Sequence, residues 1–288
     1  DGSKNPLQIQ QLKQKMGNAA NASSETELRG ALGWMVGEEG RGVRTIIEMV
    51  ATTRYDCMIG SSSGMRQAAA QAIHHASNRE AFGARLSEQP LMQNLLADLA
   101  LESEAAMTYT MRIARAMDNQ DNEHEKLLSR IATPIGKYWI CKRTPNHAYE
   151  AMEVIGGSGV MENHIMPRLF RESPVNAIWE GSGNVQCLDI LRSIEKQPDV
   201  LGANRHFDTF LNDIKSEFTD TNTLQYRGRI IADKMALGLQ AALLLQHSTS
   251  DVADAFCLSR LASNGGSNYG TMPTEINCAA IVVRAAPT

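Results

Sequence analysis

From Thr45 onward, apolar residues recur at three- and four-residue steps, a spacing that predicts a largely helical fold. The longest apolar stripe consists of Met92, Leu95, Leu99, Ala106, Thr110, Ile113 and Met117. This stripe predicts one amphipathic helix of about seven turns. The polar residues 118–126 that follow it predict a loop between long helices.

Helical patterns also precede and follow this stripe. Apolar positions from Ile46 to Cys57 predict a helix that we expect to break near residues 61–64, where serines and a glycine cluster. The helix after the polar loop is lined by Leu127, Leu128, Ile131, Ile135, Tyr138 and Trp139. Pro134 predicts a kink in that helix, and the glycine pair 156–157 predicts the end of a further helical face. Long helices with short connections, four in number here, predict a bundle.

Residues 1–42 have a different pattern, because they are rich in Gly, Asn and Ser and alternate apolar with polar residues. The alternation at residues 7–10 and 25–28 predicts two or three strands, which end in a turn at residues 37–40. So small a sheet cannot bury both faces alone, so we interpret it as the end of a β-domain. The chain opens with Asp1 and no methionine, and we therefore expect a fragment of a longer protein.

The composition changes again after Pro198, which we take as the boundary between the bundle and a small helical extension. The apolar positions that predict helices there are Phe207, Phe210, Leu211, Ile214 and Phe218, then Ile231, Met235, Leu239 and Ala242, then Val252, Phe256 and Leu258. Residues 264–268 predict a loop, and a last helix is expected from about Thr274.

Charge and cysteine usage exclude several classes of protein. The 28 Lys and Arg against 32 Asp and Glu give a net charge of -4, which argues against coating nucleic acid through bulk charge. The five cysteines are scattered and form no CxxC pair, so neither a disulfide framework nor a metal site is predicted, and a reducing cytoplasm fits best. No apolar run approaches the ~20 residues of a membrane helix.

Three short stretches have residues suited to chemistry. Residues 78–86 end a helix with Arg79, Phe82 and a glycine, a set that could hold a phosphate and pack on a nucleotide, or form an ordinary C-cap. Residues 154–160 contain a glycine turn that either cradles a ligand or simply stops a helix. Residues 178–186 set Glu180 between an aromatic ring and a glycine turn. An apolar wall raises a carboxylate's pKa toward general-base values, although an ordinary acid near a helix N-terminus explains the pattern equally.

The order of these stretches resembles the acyl-CoA dehydrogenase family. The residues that carry the resemblance are Arg79 to Gly83, the segment 90–98, the pair Gly156-Gly157 and the turn Glu180-Gly181. Residues 32–42 are similar to the segment where that family's β-domain leads into its C-terminal helices. The likeness covers about residues 1–197. It implies a mainly α fold, in which a helical bundle (43–197) follows the tail of a β-domain (1–42) and precedes a helical extension (198–288).

The resemblance implies roles for individual residues. Glu180 matches the family's catalytic base, which removes the α-proton of an acyl thioester while FAD accepts a β-hydride. Arg54 matches a position that lines the acyl-CoA site, and Arg79 and Phe82 match positions that hold the ADP portion of FAD, typically from a neighbouring subunit. A homo-oligomer, a tetramer, is therefore implied. The other implied flavin contacts are Gly156, Gly157, Trp179, Gly181, Ser182, Gly183 and Asn184.

Within the family, residues 167–184 resemble the AidB-like branch, the flavoproteins of the alkylation response. That likeness implies a further domain after Pro198, association with double-stranded DNA through Arg192 and Lys196, and weak or side dehydrogenase activity. Residues 199–288 carry seven Lys or Arg against nine Asp or Glu, so any DNA face must be local. The alternatives are an ordinary short- or branched-chain acyl-CoA dehydrogenase and an inactive oligomerisation fragment.

Overall fold

Helices dominate the computed structural model, as the three- and four-residue periodicity predicts. It describes residues 2–194, 227–262 and 269–287, together with 210, 213–214, 217–219 and 223–225. The strands are β1 (Leu7–Leu12), β2 (Ser24–Leu28), β3 (Glu80–Ala81) and β4 (Ala84–Arg85). The α-helices are α1 (Gly42–Asn78), α2 (Pro90–Asp118), α3 (Glu123–Ile155), α4 (Met166–Glu172), α5 (Gly183–Ile194), α6 (Gly228–His247), α7 (Ser250–Phe256) and α8 (Cys278–Ala285). Short 3-10 turns cover Leu86–Glu88, Gly156–Val160 and Val175–Ala177, and a π turn covers Cys257–Leu261.

Helix α1 runs without interruption for 37 residues, so the predicted break near residues 61–64 is wrong. Ser61 and Ser62 are buried, and the Ser62 hydroxyl donates to the backbone carbonyl of Ile59 at 3.2 Å. A serine that bonds back to its own helix needs no partner outside it. The cluster of small residues therefore does not end this helix.

The stripe predicted for α2 is confirmed, since Leu99, Thr110 and Ile113 are buried along one helix. Helix α3 begins at Glu123, earlier than predicted, because the Asn122 side chain accepts hydrogen bonds from the first free N–H groups. It continues through Pro134 to Ile155, so the described bundle has three long helices where the pattern predicted four.

Gly136 marks the closest approach of these three helices. A Cβ atom at this position would lie 2.5 Å from Met58 Cε of α1 and 2.5 Å from Tyr109 Cε1 of α2. Only glycine therefore fits, and the contact fixes α3 against both neighbours at the height of the next residue, Lys137.

Strands β1 and β2 confirm the alternating pattern of the first residues. They pair antiparallel, with Leu7 opposite Leu28 and a bulge between Ile9 and Gln11. Leu7, Ile9 and Leu28 are exposed, which is in keeping with the expectation that this hairpin belongs to a larger β-domain. The polypeptide bends at residues 37–40, as predicted, before α1 begins.

The described part of the extension packs into the bundle. Phe256 of α7 and Ile281 of α8 share one apolar core with Leu96 and Leu99 of α2. The helices predicted around Ile231 and Val252 are confirmed, and the last helix begins at Cys278, four residues later than expected. The proposed boundary at Pro198, the loop at 264–268 and most of the helix predicted for 207–218 lie outside the described residues.

Buried charges join the extension to the bundle. Arg143 of α3 donates to both carboxylate oxygens of Glu102 on α2, at 2.6 and 3.0 Å. Arg260 of the extension pairs with Asp98 and Glu102, while the backbone N–H of Gly270 donates to Asp98 at 2.8 Å. Burial alone would raise the pKa of Glu102, but the two arginines outweigh it and lower that pKa to about 2. In the parts of the chain described here, no helix is both long and apolar enough to cross a bilayer.

Candidate functional site

Glu180 stands on a strained turn between the 3-10 turn Val175–Ala177 and α5. Its φ of 58° is left-handed, a conformation that costs a non-glycine residue roughly 1–2 kcal/mol. Gly181 follows with a φ of 102°, and a Cβ there would lie 2.7 Å from Gln186 Nε2. This turn therefore requires glycine after Glu180, as the Glu-Gly pair in the sequence suggests.

Three side chains from three helices hold the carbonyls of this turn. Arg54 Nε of α1 donates to the Glu180 carbonyl at 3.0 Å. Gln186 Nε2 of α5 donates to the Glu180 carbonyl at 3.1 Å and to the Gly181 carbonyl at 2.9 Å. Lys137 Nζ of α3 donates to the Gly181 carbonyl at 2.6 Å. Sequence reasoning gave no role to Lys137, which belongs to none of the three stretches, or to Gln186, which lies at the end of the stretch 178–186.

Arg54 makes a second contact, an ion pair with Asp189 of α5, which orients its guanidinium toward the turn. Its Nη1 donates to Asp189 Oδ2 of α5 at 2.7 Å, and Arg130 Nη2 donates to Asp189 Oδ1, also at 2.7 Å. Burial would raise the pKa of Asp189, but Arg130 and Arg54 outweigh it and hold that pKa below its usual range. The role of Arg54 toward acyl-CoA stays a prediction, since its guanidinium already serves this network.

The other residues predicted near Glu180 surround the start of α5. Trp179 is partly exposed, with 37% of its surface open to solvent. Asn184 Oδ1 accepts two hydrogen bonds from Arg229 of α6, at 3.0 and 2.8 Å. Ser182 and Asn184 are exposed at the helix N-terminus, where further contacts are open to them.

Arg79 lies at a second place, together with the glycine pair. A groove of about 530 Å³ is lined by His75, Arg79, Leu86, Val154, Ile155, Gly156, Gly157 and Ser158. A Cβ at Gly156 or Gly157 would meet nothing within 4 Å, so this backbone is open to a ligand. The Gly156 N–H donates to the Glu153 carbonyl, so the features suited to phosphate here are the Arg79 guanidinium and the exposed backbone beside it.

His75 is a lining residue that sequence reasoning missed. Burial lowers the pKa of His75, and the nearby charges of Arg79, His164 and His74 add to that effect. Phe82 does not line the groove: it is 96% exposed and has a left-handed φ of 57°. Bulky residues seldom adopt this conformation, so Phe82 presents its ring outward at a strained turn.

Arg192 lies exposed near the end of α5. Asp189 lies three residues before Arg192, within reach on a helix, but its carboxylate pairs with Arg54 and Arg130. Across the residues with described placement, Arg192 has no ion-pair partner. Lys196 and Glu195, its other expected neighbours, lie outside the described residues.

Comparison with known proteins gives a consistent result. The family model described as "Acyl-CoA dehydrogenase, C-terminal domain" matches residues 40–195. The putative acyl-CoA dehydrogenase AidB of Escherichia coli is 40% identical over 277 residues, which cover 92% of this chain and 51% of that protein. The chain thus spans about half the length of this relative.

Solved structures agree with that match. Caenorhabditis elegans ACDH-11, solved in complex with C11-CoA, superposes with a TM-score of 0.82 at 25% identity, covering 90% of this chain and 51% of that one. The fold is also shared with a Bacillus anthracis acyl-CoA dehydrogenase solved with FAD, at a TM-score of 0.72 and 18% identity, over 98% of this chain and 56% of that one. The chain, with its Glu-Gly turn and its Arg79 groove, belongs to the acyl-CoA dehydrogenase family.

Proposed function

We propose that the chain supplies the catalytic base and part of the flavin site of an FAD-dependent acyl-CoA dehydrogenase of the AidB type. The observation that carries the proposal is the left-handed backbone of Glu180, held by donors from three helices. Strain of this kind persists where the surrounding structure enforces it, and it concentrates at functional sites.

The Glu180 carboxylate is available for chemistry. Its backbone carbonyl is bound by Arg54 and Gln186, whereas its side-chain oxygens have no hydrogen bond within the described residues. The carboxylate accepts the α-proton of an acyl thioester, and the electron pair of the broken C–H bond becomes part of the new Cα=Cβ bond. FAD, when bound, accepts the hydride that leaves the β-carbon.

FAD is the cofactor of acyl-CoA dehydrogenases, and the groove beside Arg79 fits part of it. The Arg79 guanidinium supplies charged donors for a pyrophosphate, and Gly156 and Gly157, which carry no side chain, leave room for it to approach the backbone. Phe82 would contact the same portion of the cofactor. The further contacts that we propose are Trp179, Gly181, Ser182, Gly183 and Asn184.

Assembly and substrate follow from the same proposal. Phe82 turns outward from its own groove, which supports contact with a cofactor held by a neighbouring subunit, in a homotetramer. The likeness to a structure solved with C11-CoA supports an acyl-CoA substrate, with Arg54 beside it. The proposal includes weak or side dehydrogenase activity in a cytoplasmic protein, as the resemblance to the AidB-like branch implies.

The test is Glu180→Gln in the full-length, flavin-loaded protein. The amide keeps the shape of the side chain but cannot accept a proton, so anaerobic bleaching of flavin by a short branched acyl-CoA should slow by ~10²–10⁴-fold. Glu123→Gln, an exposed carboxylate on α3, is the matched control. Bleaching by Glu180→Gln at the parental rate would assign the base to another residue.

One observation favours a second function, association with double-stranded DNA as part of an alkylation response. Arg192 is exposed, and the acid nearest to it along the described part of α5, Asp189, is already engaged by Arg54 and Arg130. A guanidinium that has no ion-pair partner among the described residues is suited to phosphate contacts that are indifferent to base sequence. Duplex binding by Arg192→Ala, measured by fluorescence anisotropy across a salt series, tests this function.

A further inference from the structure

A lysine is buried directly beneath the Glu180 turn. Lys137 is 1% exposed, and its Nζ donates to the Gly181 carbonyl at 2.6 Å. Within the described residues, no carboxylate lies close enough to pair with it. Because an ammonium without an ion pair is costly to bury, an apolar side chain of the same length would be the more stable choice.

The surroundings of Lys137 come from three elements. Burial lowers the pKa of Lys137; the Cys141 and Cys57 thiols and the Glu180 carboxylate act in the opposite direction, and Arg54 adds to the lowering. The charged groups that face Lys137 are therefore the Glu180 carboxylate and the Arg54 guanidinium. A buried lysine in such a place is typical of a functional site.

Side-chain donors hold two successive peptide planes of the turn, 180–181 and 181–182, of which the first flanks the Glu180 Cα. Arg54 and Gln186 hold the first plane through the Glu180 carbonyl, and Lys137 and Gln186 hold the second through the Gly181 carbonyl. Gln186 is a neutral donor shared between both planes. Lys137 gives the second plane a charge-assisted bond, which is shorter and stronger than the neutral one.

We propose that Lys137 is a positioning residue for Glu180. Its ammonium holds the Gly181 carbonyl, so Gly181 keeps its positive φ, and the turn that carries Glu180 keeps the shape from which the carboxylate reaches the α-proton. This inference rests on the proposed function of Glu180 as the base. It predicts that the lysine is retained for catalysis at the expense of stability, as happens where function requires a strained site.

The test is Lys137→Met in the full-length, flavin-loaded protein, which removes the donor and keeps the length of the side chain. Misplacing a catalytic group by about 1 Å can cost ~10²-fold, so kcat and the rate at which α-deuterium of an acyl-CoA is lost to water should both fall by about that factor. KM, flavin content and the thermal midpoint should be unchanged, or the midpoint higher. Lys126→Met, at an exposed position of the same helix, is the control.

Each outcome decides the proposal. Parental kcat in Lys137→Met, or a raised KM with unchanged kcat, would overturn it. If Lys137→Met fails to fold, the second variant is Lys137→Gln, whose neutral end is too short to reach the Gly181 carbonyl. It should show the same loss of kcat. A parental kcat in Lys137→Gln would also overturn the proposal. Failure of both variants to fold would make Lys137 a structural residue. Glu180→Gln is measured in parallel. If Glu180→Gln keeps its activity, the proposed function itself fails. If Glu180→Gln is inactive and Lys137→Met is fully active, only the role of Lys137 is refuted.

Discussion

Arg54 and Asp189 form a largely buried ion pair, with Nη1 2.7 Å from Oδ2, that joins α1 to α5, the helix after the Glu180 turn. The same guanidinium donates through Nε to the Glu180 carbonyl at 3.0 Å. A planar fork can make both bonds at once, in fixed directions. The pair therefore sets the distance between α1, α5 and the turn that carries the proposed base.

Arg54→Lys should lower kcat about tenfold, because one ammonium cannot reproduce a fork aimed at both Asp189 and the Glu180 carbonyl. Arg130→Lys, which alters the exposed second partner of Asp189, is the matched control and should leave kcat near the parental value. Steady-state kinetics separate the alternatives. A raised KM with parental kcat would make Arg54 chiefly a substrate contact.

Arg79→Ala should weaken FAD binding by about 10-fold to 100-fold, since a charge-assisted bond to phosphate contributes roughly 1.5–3 kcal/mol. Flavin fluorescence after serial dilution gives the affinity, and Arg85→Ala, exposed on β4, is the control. Equal flavin retention by both variants would remove Arg79 from the site.

Flavin release should also follow dissociation of the oligomer, because Arg79 and Phe82 would serve the cofactor of a neighbouring subunit. Size-exclusion chromatography at decreasing concentration, with flavin fluorescence recorded in parallel, tests this. A monomer that keeps tightly bound flavin would show that each subunit completes its own site.

Arg192→Ala should weaken duplex binding and flatten the plot of log affinity against log salt by about 0.9, the slope expected for one lost phosphate contact. Fluorescence anisotropy with two unrelated duplexes across a salt series provides the measurement. Arg115→Ala, an exposed arginine on α2, is the control. An unchanged slope would return Arg192 to an ordinary surface role.

Stability should fall in acid because of Glu102. Its pKa is lowered from 4.5 to about 2 in the folded protein, so the associated stability is complete above the unfolded value and is lost as the pH falls toward 2. The shift corresponds to about 3 kcal/mol. Urea unfolding between neutral pH and acid should show a weaker pH dependence in Glu102→Gln than in the parent. Equal dependence in both proteins would mean that another carboxylate is responsible.

Phe256→Ala should destabilise the whole chain by about 3–5 kcal/mol, because this buried ring shares its core with α2. Unfolding should remain one transition when followed by far-UV circular dichroism and by tryptophan fluorescence. Phe82→Ala, at an exposed ring, should leave stability nearly unchanged. A separate early transition in Phe256→Ala would show that the extension folds independently.

The sequence by itself determined the helical class, the first hairpin and the Glu180-Gly181 turn. Each of these depends on residues close together in the chain. They are the periodic stripe of α2, the alternation around Leu7, and Gly181 directly after the left-handed Glu180. Local spacing is sufficient wherever backbone geometry and burial repeat with a short period. Local pattern gave a wrong prediction at residues 61–64, where clustered Ser and Gly predicted a helix break but α1 continues.

Only the tertiary structure decided what surrounds Glu180. Arg54 reaches its carbonyl across 126 positions of sequence, and Lys137 reaches Gly181 across 44. Nothing along the chain marks Lys137, since a lysine between Gly136 and Tyr138 has the same pattern whether it faces solvent or the core. Its burial follows from the contact of three helices at Gly136, and such contacts depend on the packing of distant segments against one another.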